Sequence, residues 1–400
     1  MSTRWVADAM PVDSDLLILG GGCAGLSLGV RIGANPGRCS RTVIVESRSL
    51  FANDRTWCFW QQPSDHFAHL TTHAWSTLQL RAGERIVSLA CGTSPYQLLP
   101  SEAFYADACR LIDQSGSVEL LRGTRVMAEP SCVDGIWKVE TDRGSLTARQ
   151  VIDTRPPSPD RPMRVTLWQS FAGQEVVCES GPFDPGRVML MDFSDSTDEN
   201  IHFTYVLPMT RQRALVESTA FGPRPLSAAF FAERQAAAVE RECRGAVFHV
   251  LRNEHGVLPM GIAKPRDSVD GMGLVRVGVM RGAARPATGY AFGRIQRWAD
   301  TCAASLREGR PAQAHQPDHL HTRVMDSLFL KVLRARPELA PRLFLDLFEN
   351  VEPARLIRFL SDAGSLLDHA AVVAALPARP FLRALFDPRV APAALQPGAS

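Results

Sequence analysis

The sequence predicts an α/β fold: a Rossmann-type dinucleotide-binding domain, an inserted antiparallel sheet and a helical C-terminal region. Three observations carry that expectation. An apolar run ending in three glycines opens the chain and leads through a helix-spaced segment to a second β-branched run. From about residue 165 to 222, strand signals follow one another. After Asp318 the apolar spacing turns helical almost to the end.

Residues 15–19 (DLLIL) read as a strand, residues 26–32 continue with helical spacing, and residues 41–46 (RTVIVE) read as a second strand. Strand, tight glycine turn, helix and strand make a βαβ unit. Residues 51–150 are mixed, with a helix near 101–114 and short strands after it. VIDT (151–154) reads as a buried strand closed by the proline-rich RPPSPDRPM. The strand-rich stretch is VTLWQSFAG, RVMLMDF, IHFTYVLP and RALVEST; residues 225–245 then read as a helix, and 274–279 return to strand. The expected division is a discontinuous dinucleotide-binding domain (1–160 and 250–310), an inserted β-rich substrate domain (161–249) and a helical C-terminal region (311–400).

Forty-four basic and 42 acidic residues leave a net charge of +2, so no long-range field favours nucleic acid as a partner. Nine scattered cysteines include no C-x-x-C pair, which argues against a zinc ribbon or a redox dithiol, and no metal site is expected. Their odd number and irregular spacing suit a reducing cytoplasm. The first residues lack an apolar core of signal-peptide type, and no uncharged run is long enough to span a bilayer. The expected location is cytoplasmic, peripheral to the inner face of the membrane.

Gly20, Gly22 and Gly25 form G-x-G-x-x-G between the first strand and its helix. The first glycine permits the turn, the second lets backbone approach a pyrophosphate at the helix N-terminus, and the third allows helix and strand to touch. Cys23 and Ala24 lie inside this loop, Cys23 reading as a small packing residue. Glu46 lies 21 residues past Gly25 at the end of the second strand, placed to accept ribose hydroxyls. These residues, with Arg55, are expected to bind FAD. A second glycine cluster, VRVGVMRGAARPATGY, offers Gly278, Gly282, Pro286 and Gly289 for close approach to the flavin. The acid common after such a strand is absent, Val279 standing in its place. A purely structural turn is the competing reading.

Several further segments, in order, are similar to the lycopene cyclase family, bacterial β-cyclase type. DRTWCFW (54–60) resembles a Thr-Trp-Ser-Phe-His element, and LMDFSD (190–195) a Met-Asp-Trp element. FTYVLPMTRQRALVESTAF (203–221) resembles Phe-x-Tyr-x-Leu-Pro leading to Ile-Glu-x-Thr. RGAARPATGYAF resembles Ala-Gly-x-x-His-Pro-Thr-Thr-Gly-Tyr, and LFENVEPARLIRFLSD the family's Leu-Ile-x-Arg-Phe-Tyr segment. Cys58, Trp60, Arg285 (for His) and Ala287 (for Thr) depart from the pattern and mark a divergent branch.

The resemblance implies a fold like that of glutathione reductase and p-hydroxybenzoate hydroxylase. It also implies a non-redox isomerisation of a polyene such as lycopene or a related carotene. Reduced FAD is required, with NAD(P)H as electron source. By resemblance Glu217 protonates the terminal alkene; a carboxyl desolvated in an apolar pocket keeps its proton at neutral pH. Read from the residues alone, Glu217 is a strand-end acid bonded to Ser218 or Thr219. Asp192 is the second catalytic candidate, with a turn residue as the alternative. Arg285 is expected beside the reduced flavin. Trp57, Phe59, Trp60, Phe203, Tyr205 and Tyr290 are expected to line the substrate pocket, where aromatic faces steady a cation.

So apolar a substrate implies contact with a membrane surface. The tail from 325 to 384 offers an interfacial face, or else packs on the sheet with its arginines solvated. The alternatives in function are a flavin-dependent monooxygenase or halogenase acting on a hydrophobic substrate, and a non-catalytic carrier.

Overall fold

A computed structural model describes residues 12–39, 41–61, 67–158, 163–196, 200–262, 269–270 and 273–386. Two large sheets dominate. In the first, the strands Ser14–Leu19, Thr42–Glu46, Val118–Arg122, Gly144–Asp153 and Leu274–Arg276 run parallel, and the last pairs with Val269–Asp270. Leu16, Leu17, Ile18 and Leu19 are all fully buried, as a strand covered on both faces requires. The helix Cys23–Ala34 returns across this sheet as the sequence predicts. It carries Gly25, Gly29 and Gly33 on one side, each about 1 kcal/mol poorer than alanine in a helix interior. Contact offsets that cost. A Cβ at Gly25 would lie 2.0 Å from the Gly20 carbonyl oxygen, and one at Gly29 2.5 Å from Ile44 Cδ1.

The second sheet has seven strands in the order Phe248–Ile262, Val165–Cys178, Arg213–Gly222, Ile201–Pro208, Arg187–Asp192, Thr77–Ala82 and Arg85–Ala90. All neighbours are antiparallel except Arg187–Asp192 with Thr77–Ala82. Two domain boundaries drawn from the sequence are corrected here. The hairpin 77–90, placed with the dinucleotide half, belongs to the antiparallel sheet, and so does 248–262. Register decides this: Val165–Cys178 is flanked along its whole length by Arg213–Gly222 and Phe248–Ile262. A smaller sheet of Thr56–Trp60, Tyr96–Pro100 and His73–Trp75 completes the β-structure beside them.

Part of the helical tail packs on the antiparallel sheet, one of its two expected arrangements. Leu330, Leu333, Leu343, Leu345, Leu356 and Ile357 are buried in one core with Leu78, Leu80, Leu207, Leu215 and Phe221 of the antiparallel sheet. Each such leucine removed from water contributes about 1.5–3 kcal/mol. On the same tail Leu366, Leu367, Val373, Leu382 and Leu385 are exposed. Among the described residues, no helix is long and apolar enough to cross a membrane.

Candidate functional site

A single cavity of about 840 Å³ reaches from the glycine turn to the antiparallel sheet. At one end it is lined by Gly20, Gly22, Cys23 and Ala24. Gly20 takes φ +101° and Gly25 is in contact with its carbonyl, so this turn closes only on glycine. Gly22 caps the helix without a side-chain hydrogen bond, and a Cβ there would meet nothing within 4 Å. The first helical amides therefore face open space, the arrangement that receives an anion.

Glu46 lies beside this turn, buried, and accepts from the Gly21 amide (2.7 Å) and from Arg48 at its backbone amide (2.7 Å) and Nε (3.0 Å). Burial raises its pKa, but the hydrogen bonds and charge of Arg48 outweigh burial and hold the carboxyl below its ordinary range. Arg48 in turn lies over the rings of Phe51 and Tyr105. Sequence reasoning missed Arg48, although its position two residues past the strand-end acid was a signal. Burial lifts the Cys23 thiol to about 12, which agrees with the packing reading.

Gly278 and Gly289 also line the cavity, both with positive φ. Arg55 lines it too, half-exposed and paired with Asp54. Gly282 lines a separate cavity of about 480 Å³, and Pro286 lines neither.

Arg285 departs from its expected place. It is almost fully buried, paired with Asp326 (3.2 Å), bonded to the Phe359 carbonyl and set over the Phe359 ring. It belongs to the lining of the smaller cavity, not that of the glycine turn. The reason is electrostatic: a buried guanidinium goes where a carboxylate and a free carbonyl meet it.

At the other end of the main cavity, strand register builds a row across the sheet. Tyr205 pairs with Glu217, Glu217 with Gly173, and Gly173 with Glu254. Directly paired residues share a sheet face, so the two glutamates flank a position without a side chain. A Cβ at Gly173 would lie 3.1 Å from Glu254 Cγ and 3.4 Å from Glu217 Cβ. Across that gap Glu254 acts on Glu217 and raises its proton affinity. Glu217 sits in the middle of Arg213–Gly222, not at a strand end, and Thr219 Oγ1 donates to it at 2.6 Å.

Glu254 accepts from Arg252 Nη1 (2.6 Å) and Thr56 Oγ1 (2.8 Å), and Glu175 accepts from Arg252 and Arg213. Three carboxyls thus face two guanidiniums. Glu217 is the surplus one. Burial first, then the charge of Glu254, raises its pKa to about 8, so at neutral pH it is a carboxylic acid.

All four tyrosines of the chain line this cavity. Tyr205 donates to Tyr96 (3.2 Å), Tyr96 lies 3.4 Å from Tyr290, and Cys58 lines the cavity with them. Burial pushes Tyr96 and Tyr205 well above the ordinary phenol range and Cys58 to about 12. The group is a set of neutral hydroxyls and rings next to a neutral acid.

Trp57 and Phe203 line the cavity as expected. Phe59 and Trp60 do not: Phe59 stacks on Phe292, and Trp60 is buried against Tyr96 and Tyr290, supporting two of the tyrosines from behind. Asp192 is also outside. It is buried, paired with Arg81 and bonded to Ser194, and those partners overcome burial and hold its pKa below the ordinary value. An ionised, saturated Asp192 is a structural ion-pair member rather than a proton donor. Among the described residues no three His, Cys, Asp or Glu side chains gather as metal ligands.

Comparison with known proteins places this architecture. The family model described as "Lycopene cyclase protein" matches residues 15–386. A lycopene beta-cyclase of Pseudescherichia vulneris is 26% identical over 305 residues, covering 74% of this chain and 75% of that protein. A chloroplastic neoxanthin synthase of Solanum lycopersicum is 29% identical over 161 residues, 38% of this chain, and the match spans only 32% of the synthase. In structure, the p-nitrophenol 4-monooxygenase of Pseudomonas putida DLL-E4 superposes with a TM-score of 0.60 at 16% identity, over 93% of this chain and 99% of that one. The fold is that of FAD-dependent monooxygenases: a Rossmann-type domain, an inserted antiparallel sheet and a helical C-terminus.

Proposed function

The chain belongs to the lycopene cyclase family, and from that premise we propose that it closes the linear ends of a carotene into β-rings without net oxidation or reduction. One observation carries the reading. A carboxyl that is neutral at pH 7 stands in an apolar, aromatic cavity that runs without interruption to a dinucleotide cradle.

The cradle fits FAD. The Gly20–Gly25 turn admits a pyrophosphate against uncapped helix amides, Glu46 presents a carboxylate for ribose, and Gly278 and Gly289 supply flat backbone. Gln169 Oε1, beside Gly289, is buried without a hydrogen-bond partner among the described residues, as an acceptor awaiting a ligand would be. When bound, FAD in its reduced form, recharged by NAD(P)H, supplies electron density that steadies positive charge nearby.

Glu217 transfers its proton to the terminal alkene of the polyene, leaving a tertiary carbocation that the neighbouring alkene attacks. Loss of a ring proton then restores neutrality. An acid held neutral by its surroundings has the driving force for an unactivated alkene that an ionised one lacks. The rings of Phe203, Tyr205 and Tyr290 face the developing cation, each contributing about 2 kcal/mol when water is absent. The Tyr205 and Tyr290 hydroxyls both lie within hydrogen-bond reach of the Tyr96 hydroxyl.

A carotene partitions into bilayers, so the enzyme meets it at a membrane surface. The exposed Leu366, Leu367, Val373, Leu382 and Leu385 of the tail are the proposed contact, on the cytoplasmic face.

The test is expression in lycopene-accumulating cells. β-Carotene or γ-carotene is the expected pigment. Unchanged lycopene beside a soluble, FAD-loaded protein overturns the reading, and oxygen-dependent NAD(P)H consumption with a hydroxylated product replaces it with a monooxygenase.

A further inference from the structure

Glu254 has no part in the single-acid scheme, yet its charge is the one that acts most strongly on the acid. It also lines the same cavity. We propose that Glu217 and Glu254 act as one carboxyl pair holding a single proton, with Glu254 as the positioning residue and Gly173 as the gap that lets them meet. This rests on the cyclase reading and adds to it the means by which the acid is reset.

The argument is geometric. Two carboxyls on the outer strands of a three-strand row are one strand apart on either side, and an ordinary side chain on the middle strand would stand between them. Gly173 removes it. A Cβ there would meet both glutamates and also Leu215 Cδ1 at 3.3 Å, so alanine forces at least one neighbour aside by a few tenths of an ångström. Gly173 does not take a positive φ, so its backbone does not require glycine. The contact does.

Arg252 and Thr56 aim their donors at Glu254 and Thr219 aims a single hydroxyl at Glu217. The proton therefore rests on Glu217. The other titratable groups around the pair are Arg252 and His255 on the strand of Glu254, Tyr205 on the strand beside Glu217, and Cys58, Tyr96 and Tyr290 across the cavity. Arg252 brings a positive charge, and it is already divided between Glu254 and Glu175.

The cycle balances. The proton leaves Glu217 and forms a C–H bond at the alkene. The neighbouring π pair forms the ring C–C bond, a ring C–H bond breaks to give the new double bond, and its proton returns to the pair. No electrons are gained or lost. While the proton is on the substrate both carboxyls are charged and adjacent, a state that like-charge repulsion disfavours, so the pair pulls a proton back from the ring cation. Glu217 alone would lack that pull.

The experiment uses FAD-loaded full-length protein and two readouts. Infrared difference titration follows the protonated carboxyl band; a cyclase assay with lycopene in phospholipid vesicles follows turnover against pH. In the unsubstituted protein the band is expected to titrate near pH 8 and to vanish in Glu217→Gln. In Glu254→Gln the band and the alkaline limb of turnover should both move to lower pH by about one unit or more, which is about a tenfold loss at the alkaline end. At acidic pH turnover should fall as well, because the lone acid no longer draws the ring proton back. Gly173→Ala should shift both in the same direction by a smaller amount, without loss of flavin. A Glu254→Gln protein whose band and limb coincide with those of the parent overturns the pairing. A band that shifts as stated in a protein that leaves lycopene unchanged supports the pairing and rejects the cyclase reading instead.

Discussion

Two buried acids in one antiparallel sheet, Asp192 and Glu217, reach opposite protonation states. Both are nearly inaccessible and both lie on strands of that sheet. Asp192 is met by Arg81 and by two donors from Ser194, and its pKa falls. Glu217 is met by another glutamate and one hydroxyl, and its pKa rises to about 8. Burial pushes both upward, so burial is not what separates them. The charge of the partner that the sheet brings to each does. Asp326 in the helical tail is a third case: even with Arg285 beside it, burial leaves its pKa raised.

The contrast breaks most visibly at Glu217. Replacement by Gln is expected to lower cyclisation by about 10²–10⁴-fold, the usual contribution of a positioned general acid, while flavin content stays the same. Pigment analysis and flavin absorbance measure the two sides. Equal cyclisation by Glu217→Gln and the parent would remove the distinction between the two acids.

Arg285→Met strands Asp326 in the interior and is expected to cost about 3–5 kcal/mol of stability, read by denaturant unfolding. Arg285→Met with Asp326→Leu should recover most of it, since the penalty belongs to the uncompensated charge.

The pH dependence of stability should run in opposite directions for the two acids. Glu217 has a raised folded pKa, so its contribution is complete below about 4.5 and is lost as pH rises through about 8. Asp192 has a lowered folded pKa, so its contribution is present above its ordinary value of 3.8 and is lost as pH falls below it. Melting curves across pH should therefore show Glu217→Gln flattening the alkaline decline and Asp192→Asn flattening the acid one. Each effect is on the order of a few kcal/mol at most.

The smallest effect is expected for Asp192→Asn at neutral pH, about 1–3 kcal/mol of stability from one lost charge-assisted bond. Its alkaline activity limb should overlay that of the parent. A shifted limb would return Asp192 to the catalytic set.

The parallel half was legible because its signals are local. Strand, G-x-G-x-x-G, helix and terminal acid follow within residues 14–46, and Gly25 meets Gly20 and Ile18 inside that segment. The cyclase-like segments added Glu217, Phe203, Tyr205, Tyr290 and Trp57, all of which line the cavity. Phe59, Trp60, Asp192 and Arg285 occupy the same stretches but point elsewhere. A segment resemblance carries identity along the chain, not the direction of alternate side chains. One faint signal for Glu254 was present: Arg252, Glu254 and Gly256 alternate, which puts a charged pair and a gap on one strand face.

By itself, then, the amino-acid order determined the glycine turn and the fold class, because those depend on residues near one another or on segments in sequence. Only the folded chain decided which charge each buried acid meets: Glu254 for Glu217, Arg81 for Asp192, Arg285 for Asp326. Partners across a sheet or between sheet and helix are set by register and topology. No spacing rule records them, and in a low-dielectric interior they fix where a proton sits.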